Sequence, residues 1–152
     1  MAENREMDIS VVVPVFNEEE NLSILVPQIV DVLRPLGKTY EMIFVDDGST
    51  DRSRQLLKEM VSQYPQIRIL GFKKNCGETA AGAAGLREAR GKIVITIDAD
   101  LQNDPADIPR LLTLAKDYDL VSGWRKNRQD PFFSRRLPSM LANWLISKVT
   151  GV

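Results

Sequence analysis

Apolar residues in this chain are spaced in two ways. Short, nearly continuous runs occur at Ile9–Phe16 (ISVVVPVF), Glu41–Asp46 (EMIFVD) and Lys92–Asp98 (KIVITID), with a weaker one at Ile67–Phe72 (IRILGF). Runs this short and this apolar suit strands buried on both faces. Between them, Leu22, Leu25, Val26, Ile29, Val32 and Leu33 mark a helix over Glu18–Leu36, and Leu56, Leu57, Met60 and Val61 mark another over Ser49–Tyr64. Strand alternating with helix implies a mostly parallel α/β sheet flanked by helices. The segment Asp47-Gly48-Ser49-Thr50-Asp51 supplies turn and N-cap residues between a strand and a helix. Asp104-Pro105 through Pro109 opens a helix around Leu111–Ala115, and Leu120–Gly123 reads as a further strand. Leu137, Met140, Leu141, Trp144, Leu145 and Val149 follow helical spacing within residues 133–152. That helix suits a membrane interface, with Trp144, Arg135, Arg136 and Lys148 beside it, or packing on another element; both need the same apolar stripe.

At 152 residues and 43% hydrophobic side chains the chain closes one core, so a single domain over 1–152 is expected. The net charge of −1 hides a polarity: residues 1–120 carry 14 basic and 20 acidic side chains, residues 121–152 carry 6 and 1. A basic end suits an anionic partner such as a phosphate or a membrane surface, and the aromatic residues form no RNA-binding motif, so nucleic acid is not expected. The single cysteine, Cys76, excludes an intramolecular disulfide, and the absence of histidine excludes Ser-His-Asp catalysis and the commonest zinc ligand. No apolar stretch reaches the roughly 18 residues of a membrane span, and MAENREMDIS is not a signal peptide, which points to the cytoplasm or the cytoplasmic face of a membrane.

Ligands of parallel α/β sheets bind beyond the carboxyl ends of the strands, where this chain places Asn17 and Glu18, Asp46 and Asp47, and Asp98 and Asp100. In Asp98-Ala99-Asp100, extended backbone would turn both carboxylates to one side, an arrangement suited to Mg²⁺ or Mn²⁺ bridging protein and diphosphate. Asp46 and Asp47 suit either a turn or acceptance of N–H and O–H groups from a nucleoside. The small-residue stretch Gly77–Gly85 lacks the lysine of a phosphate-binding P-loop and suits close packing of a helix on the sheet.

VVVPVFNEEENL, VDDGSTD, KKNCGETAAGAAGL, DADLQNDP and GWRKNRQDPFFSRR, in this order, resemble the family 2 glycosyltransferases. The resemblance is strongest to the branch that loads a sugar onto a polyprenyl phosphate, such as dolichyl-phosphate mannose synthases and bacterial undecaprenyl-phosphate sugar transferases. It implies a GT-A, Rossmann-like fold and a nucleoside-diphosphate sugar donor with UDP or GDP. By matched motif, Pro14, Phe16, Glu18 and Asp47 would cradle base and ribose. Asp98, Ala99 and Asp100 would take the diphosphate and metal, with Gln102 supporting the metal site. Arg125, Arg135 or Arg136, and Ser139 would meet the acceptor phosphate, making Asp98, Asp100 and Arg125 the catalytic set. Family members continue beyond Thr150-Gly151-Val152, which implies a domain truncated at its C-terminus; homo-oligomerisation is left open.

The implied reaction is inverting: an acceptor phosphate oxygen displaces the nucleoside diphosphate at the anomeric carbon, and an ionised phosphate needs little help from a general base. Two alternatives remain at this level, a family 2 transferase acting on a glycan hydroxyl and a sugar nucleotidyltransferase. The arginine-rich GWRKNRQD segment favours the lipid phosphate over the first. The lack of a Gly-rich triphosphate loop near the N-terminus weighs against the second.

Overall fold

The computed structural model describes residues 7–123. The chain divides into two compact units, Met1–Tyr118 and Asp119–Val152. All strands and helices described lie in the first unit, and residues 119–123 alone are described in the second. In chain order the elements are β1 (Met7–Val15), α1 (Glu19–Leu33) with a 3₁₀ turn at Arg34–Leu36, β2 (Tyr40–Asp46), α2 (Ser53–Met60), β3 (Ile67–Gly71), α3 (Glu78–Glu88), β4 (Gly91–Thr96), a 3₁₀ turn at Pro105–Asp107 and α4 (Ile108–Leu114). The sheet is fully parallel, in the order β3-β2-β1-β4. Strand order reverses between β1 and β4, and such a switch leaves a crevice beyond the strand ends.

The continuous apolar runs are explained by two covered faces. Ile9, Val11, Val13 and Val15 of β1, with Met42 and Phe44 of β2, pack against Leu22, Leu25, Val26 and Ile29 of α1 and Leu57 of α2. The alternate residues Val12, Ile43 and Val45 pack with Ala81 of α3 on the other face. Each fully buried Leu, Ile or Val contributes roughly 1.5–3 kcal/mol, which is why α1 holds its place despite Pro27 in its interior. On the second face α3 comes so close that a Cβ on Gly85 would lie 2.3 Å from Val12 Cγ1 and 3.1 Å from Val45 Cγ2. Ala81 and Gly85 are therefore packing residues, as the composition of the stretch suggested, whereas a Cβ at Gly77 or Gly82 would meet nothing within 4 Å.

Three boundaries differ from the sequence expectation. Helix α2 begins at Ser53 rather than Ser49, because the four preceding residues bond to the loop after β1. Strand β4 ends at Thr96, so Asp98 lies beyond it and Asp100 sits in a turn, not in extended backbone. Leu120–Gly123, expected as a strand, is not one among the described residues, and Leu120 is 87% exposed. A strand exists only where a neighbour satisfies its ladder of N–H and C=O groups, and the two apolar residues Leu120 and Val121 do not supply one by themselves.

At the amino ends of the strands, a buried polar group ties four segments together. Glu41 of β2, 2% exposed, accepts from the Ser10 hydroxyl of β1 (2.7 Å), from the Arg90 amide before β4 (2.8 Å) and from the Arg68 guanidinium of β3 (2.8 Å). Arg68 also reaches the Glu88 carbonyl and carboxylate at the end of α3. Burial pushes the Glu41 carboxyl up, but Arg68, Ser10 and the Arg90 amide together outweigh it, leaving it below 4.5. Because the folded value is depressed, this contribution to stability is complete above about 4.5 and is lost as pH falls through the folded value. Glu41→Gln should therefore cost about 2 kcal/mol near neutral pH in urea unfolding, with the difference from wild type shrinking in acid. A penalty that is the same at both pH values would refute the ionic account.

Candidate functional site

A cleft of about 290 Å³ opens beyond the carboxyl ends of the strands. Pro14, Val15, Phe16 and Glu18 come to it from the end of β1, Asp47 from β2, Asn75 and Glu78 from the segment after β3, and Asp98, Ala99 and Asp100 from the segment after β4. The volume lies at the lower edge of the ~300–1,000 Å³ common for small-molecule sites. Of the residues expected to bind donor and metal, all but Gln102 line this cleft.

The loops after β1 and β2 are knitted to each other. Asn17, with φ of 57°, accepts at its side-chain oxygen from the Thr50 amide (2.8 Å), while its own amide donates to the Ser49 hydroxyl (3.0 Å). Asp51 accepts from the Glu19 amide (3.1 Å) and the Ser53 amide (2.9 Å), so one carboxylate caps the first residue of both α1 and α2. In return the Glu19 carboxylate accepts from the Arg52 amide (2.8 Å), and the Ser53 hydroxyl accepts from the Glu18 amide (2.8 Å). Helix starts leave amides without intrahelical partners, and here each helix draws acceptors from the other's loop. Burial pushes the Asp51 carboxyl up, but donation from Ser53 and the Glu19 amide outweighs it and holds the group below its ordinary value.

The two acids of the VDDGSTD motif do different work. Asp46, fully buried, accepts from the Ser49 amide (3.1 Å) and pairs with Arg54, which also donates to the Phe72 carbonyl (2.6 Å). It thereby ties β2 to α2 and to the end of β3. Asp47, 2% exposed, accepts from the Cys76 amide at 2.7 Å with one oxygen and from the Gly77 amide at 2.8 Å with the other. It fixes the entry to α3 as well as lining the cleft. The sequence does not separate these roles, because both acids suit both.

Beyond β4, Asp98 accepts from the side-chain amide of Asn103 (3.0 Å), and Asp100 accepts from the backbone amide of Gln102 (3.0 Å). Leu101, which follows Asp100, has φ of 60°, a conformation that costs a non-glycine residue about 1–3 kcal/mol and that clusters at functional turns. Asn103 is thus a positioning residue that the sequence reading missed, although it lies within the motif that drew attention to Asp98. Asn75, Glu78 and Val15 were missed as cleft residues; Asn75 precedes and Glu78 lies within the Gly77–Gly85 stretch, whose glycines and alanines pointed only to packing. Arg125, Arg135, Arg136 and Ser139 lie outside the described residues.

Gly48 shows how tightly the rim is built. Its φ is +72°, and a Cβ there would lie 2.5 Å from the Lys74 carbonyl carbon and 2.8 Å from the Asn75 nitrogen, both backbone atoms that cannot swing aside. Gly48→Ala should lower stability by about 2 kcal/mol or more in chemical denaturation, from the positive φ and the collision together. A variant within about 0.5 kcal/mol of wild type would show that the two loops are not locked back to back.

The model of Glycosyl transferase family 2 matches residues 10–150. A dodecaprenyl-phosphate galacturonate synthase of Rhizobium johnstonii is 42% identical over 151 residues, which cover 97% of this chain and 45% of that protein. An undecaprenyl-phosphate 4-deoxy-4-formamido-L-arabinose transferase of Pectobacterium carotovorum is 46% identical over 147 residues, covering 95% of this chain and 44% of that one. The chain thus spans less than half the length of the curated relatives it matches. Among solved structures, S. aureus TarS (1–349) is similar with a TM-score of 0.61 at 20% identity, covering 82% of this chain and 38% of TarS, which supports the GT-A-like fold. The same protein in complex with UDP gives 0.59 at 18% identity, covering 85% and 40%. On the family match across residues 10–150, this chain belongs to glycosyl transferase family 2.

Proposed function

We propose that this chain is the nucleotide-sugar-binding part of an inverting, metal-dependent glycosyltransferase that moves a sugar from a UDP or GDP donor to a polyprenyl phosphate. The observation that carries the reading is the chemistry of the cleft wall. Five carboxylates, Glu18, Asp47, Glu78, Asp98 and Asp100, line it at a topological switch point, and no lysine or arginine does among the described residues. A diphosphate entering such a cleft meets like charge unless a cation comes with it. Asp98 and Asp100 offer hard oxygen donors, the kind that Mg²⁺ and Mn²⁺ prefer. Among the described residues no group of three or more acidic or cysteine side chains could hold a metal alone, so on this reading the remaining ligands would have to come from the diphosphate and water. When bound, that cation would neutralise charge developing on the leaving diphosphate.

The chain's own part is to hold and orient. Asn103 keeps the Asp98 carboxylate in place, and the strained Leu101 turn presents Asp100. Phe16, 43% exposed at the cleft, offers a ring against which a base can pack. The polyprenyl-phosphate acceptor is supported by the names of the two relatives and by the 6 basic residues among 121–152. Arg125, Arg135 or Arg136, and Ser139 would take its phosphate at the cytoplasmic face of a membrane. Among the described residues no helix is long and apolar enough to cross a bilayer.

Thermal unfolding in the presence of UDP or GDP, each with and without Mn²⁺, tests the reading. A ligand at about a hundred times its dissociation constant should add about 2.7 kcal/mol of stability, visible as a raised midpoint. The shift should require Mn²⁺ and disappear in Asp98→Asn/Asp100→Asn. A shift of equal size in the double variant would remove the two aspartates from the site.

A further inference from the structure

We infer that Asn103 selects among cations: by holding one oxygen of the Asp98 carboxylate, it leaves the other alone to ligate and so disfavours Ca²⁺ against smaller octahedral ions. The inference rests on the metal-dependent reading of the cleft and deepens it, from a residue that does not itself line the cleft. Asn103 is half-buried, and its side-chain amide donates to Asp98 Oδ2 at 3.0 Å. Asp98 Oδ1 has no donor among the described residues. Asp100 is divided in the same way, with Oδ1 accepting from the Gln102 amide at 3.0 Å and Oδ2 open among the described residues. Each carboxylate thus has one oxygen engaged by its own segment and one left over for a ligand.

The backbone that carries both acids is anchored. Ile97 and Ala99 are buried, Leu101 packs against the same core cluster, and Pro105 and Ile108 are buried beyond it. The φ of 60° at Leu101 belongs to the turn in which the Gln102 amide meets Asp100. With the backbone held in check, the donor from Asn103 decides how the Asp98 carboxylate is turned. Outer hydrogen bonds of this kind orient ligating carboxylates, and their loss costs about 10–100-fold in metal affinity.

The number of oxygens on offer sets what is selected. Mg²⁺ demands an octahedron at about 2.0–2.1 Å and is commonly held by one or two carboxylates, with phosphate oxygens and water filling the rest. Mn²⁺ suits octahedral oxygen sites as well. Ca²⁺ takes about six to eight oxygens at about 2.3–2.6 Å and often gathers them through bidentate carboxylates. Two carboxylates with one open oxygen each, together with a diphosphate and water, suffice for the smaller ions and leave Ca²⁺ short of ligands. Without the Asn103 amide, Asp98 is free to offer both oxygens to one cation. That is a gain for Ca²⁺ and a loss of preorganisation for Mg²⁺ and Mn²⁺.

Calorimetric titration of UDP and of GDP, each in saturating Mn²⁺, Mg²⁺ or Ca²⁺, separates the outcomes. Wild type should bind its nucleotide about tenfold or more tightly in Mn²⁺ or Mg²⁺ than in Ca²⁺. Asn103→Ala should weaken binding in Mn²⁺ about tenfold and leave binding in Ca²⁺ unchanged or stronger, so that the preference collapses. Asn103→Asp keeps the side chain's volume but loses the donor, and should shrink the preference too, which keeps the test open should the alanine variant not fold. Equal wild-type affinity in all three cations would overturn the assignment. So would a Mn²⁺-to-Ca²⁺ ratio that the variants leave unaltered, because a merely structural role lowers binding in every cation alike. A wild type that binds neither nucleotide in any cation, or Asp98→Asn/Asp100→Asn binding in Mn²⁺ as tightly as wild type, would overturn the metal-site reading, and this inference with it.

Discussion

Asp47 accepts from the Cys76 and Gly77 amides while its neighbour Asp46 accepts from Ser49 and pairs with Arg54. From these two adjacent acids at the end of β2, bonds run to the starts of α2 and α3 and to the end of β3. A parallel sheet brings all its carboxyl ends to one rim, and every following helix begins there with unsatisfied amides. The rim could have been a set of independent, solvated loops. Instead side-chain acceptors from one loop satisfy the backbone of the next, through Asn17, Asp51, Glu19 and Ser53 as well as the two acids. The cleft is therefore shaped before any ligand arrives, which lowers the ordering cost of binding.

The opposite end of the sheet is closed by different means. Glu41 is buried with Ser10, Arg68 and the Arg90 amide, and a Cβ on Gly91 would lie 2.4 Å from the Ser10 nitrogen. A buried charge is tolerable only when its lone pairs are filled, and Glu41 has donors from the strands on both sides of β2 and from the start of β4. The apolar layers between the two ends carry the bulk of the burial energy, but they are non-directional. Strand register is fixed more sharply by a polar group that fits one pairing alone, and Ser10 faces Glu41 directly in the β1–β2 ladder.

What the sequence disclosed and what it withheld follow the same division. The apolar runs of β1, β2 and β4 and the stripe of α1 were legible because their periodicity is a local property. The acids around the cleft were legible because parallel topology dictates where strand ends fall. Pairing of side chain with distant backbone was not: nothing in VDDGSTD says that Asp47 faces Cys76 and Gly77, 29 and 30 positions on, or that Asn17 caps a loop 33 residues away. The DAD motif was placed on the wrong backbone, since strand periodicity was extended past Thr96 into a segment that turns. Asn75 and Glu78 were obscured by their neighbours, whose composition carried a true packing signal. The acceptor arginines and Ser139 remain where the sequence left them, outside the described residues.

The acidity of the cleft has a thermodynamic consequence that goes beyond the choice of metal. With five carboxylates on its wall, the cleft would repel a diphosphate arriving alone and attract a divalent cation, so on the proposed reading the two would share one coordination sphere. Cation and nucleotide must then raise each other's affinity by the same factor, because coupling between two ligands is reciprocal. Such a site discards its product in a defined way. On the proposed reading, loss of the cation would restore the repulsion between the carboxylates and the diphosphate, whereas loss of the diphosphate would only strip the cation of some of its ligands.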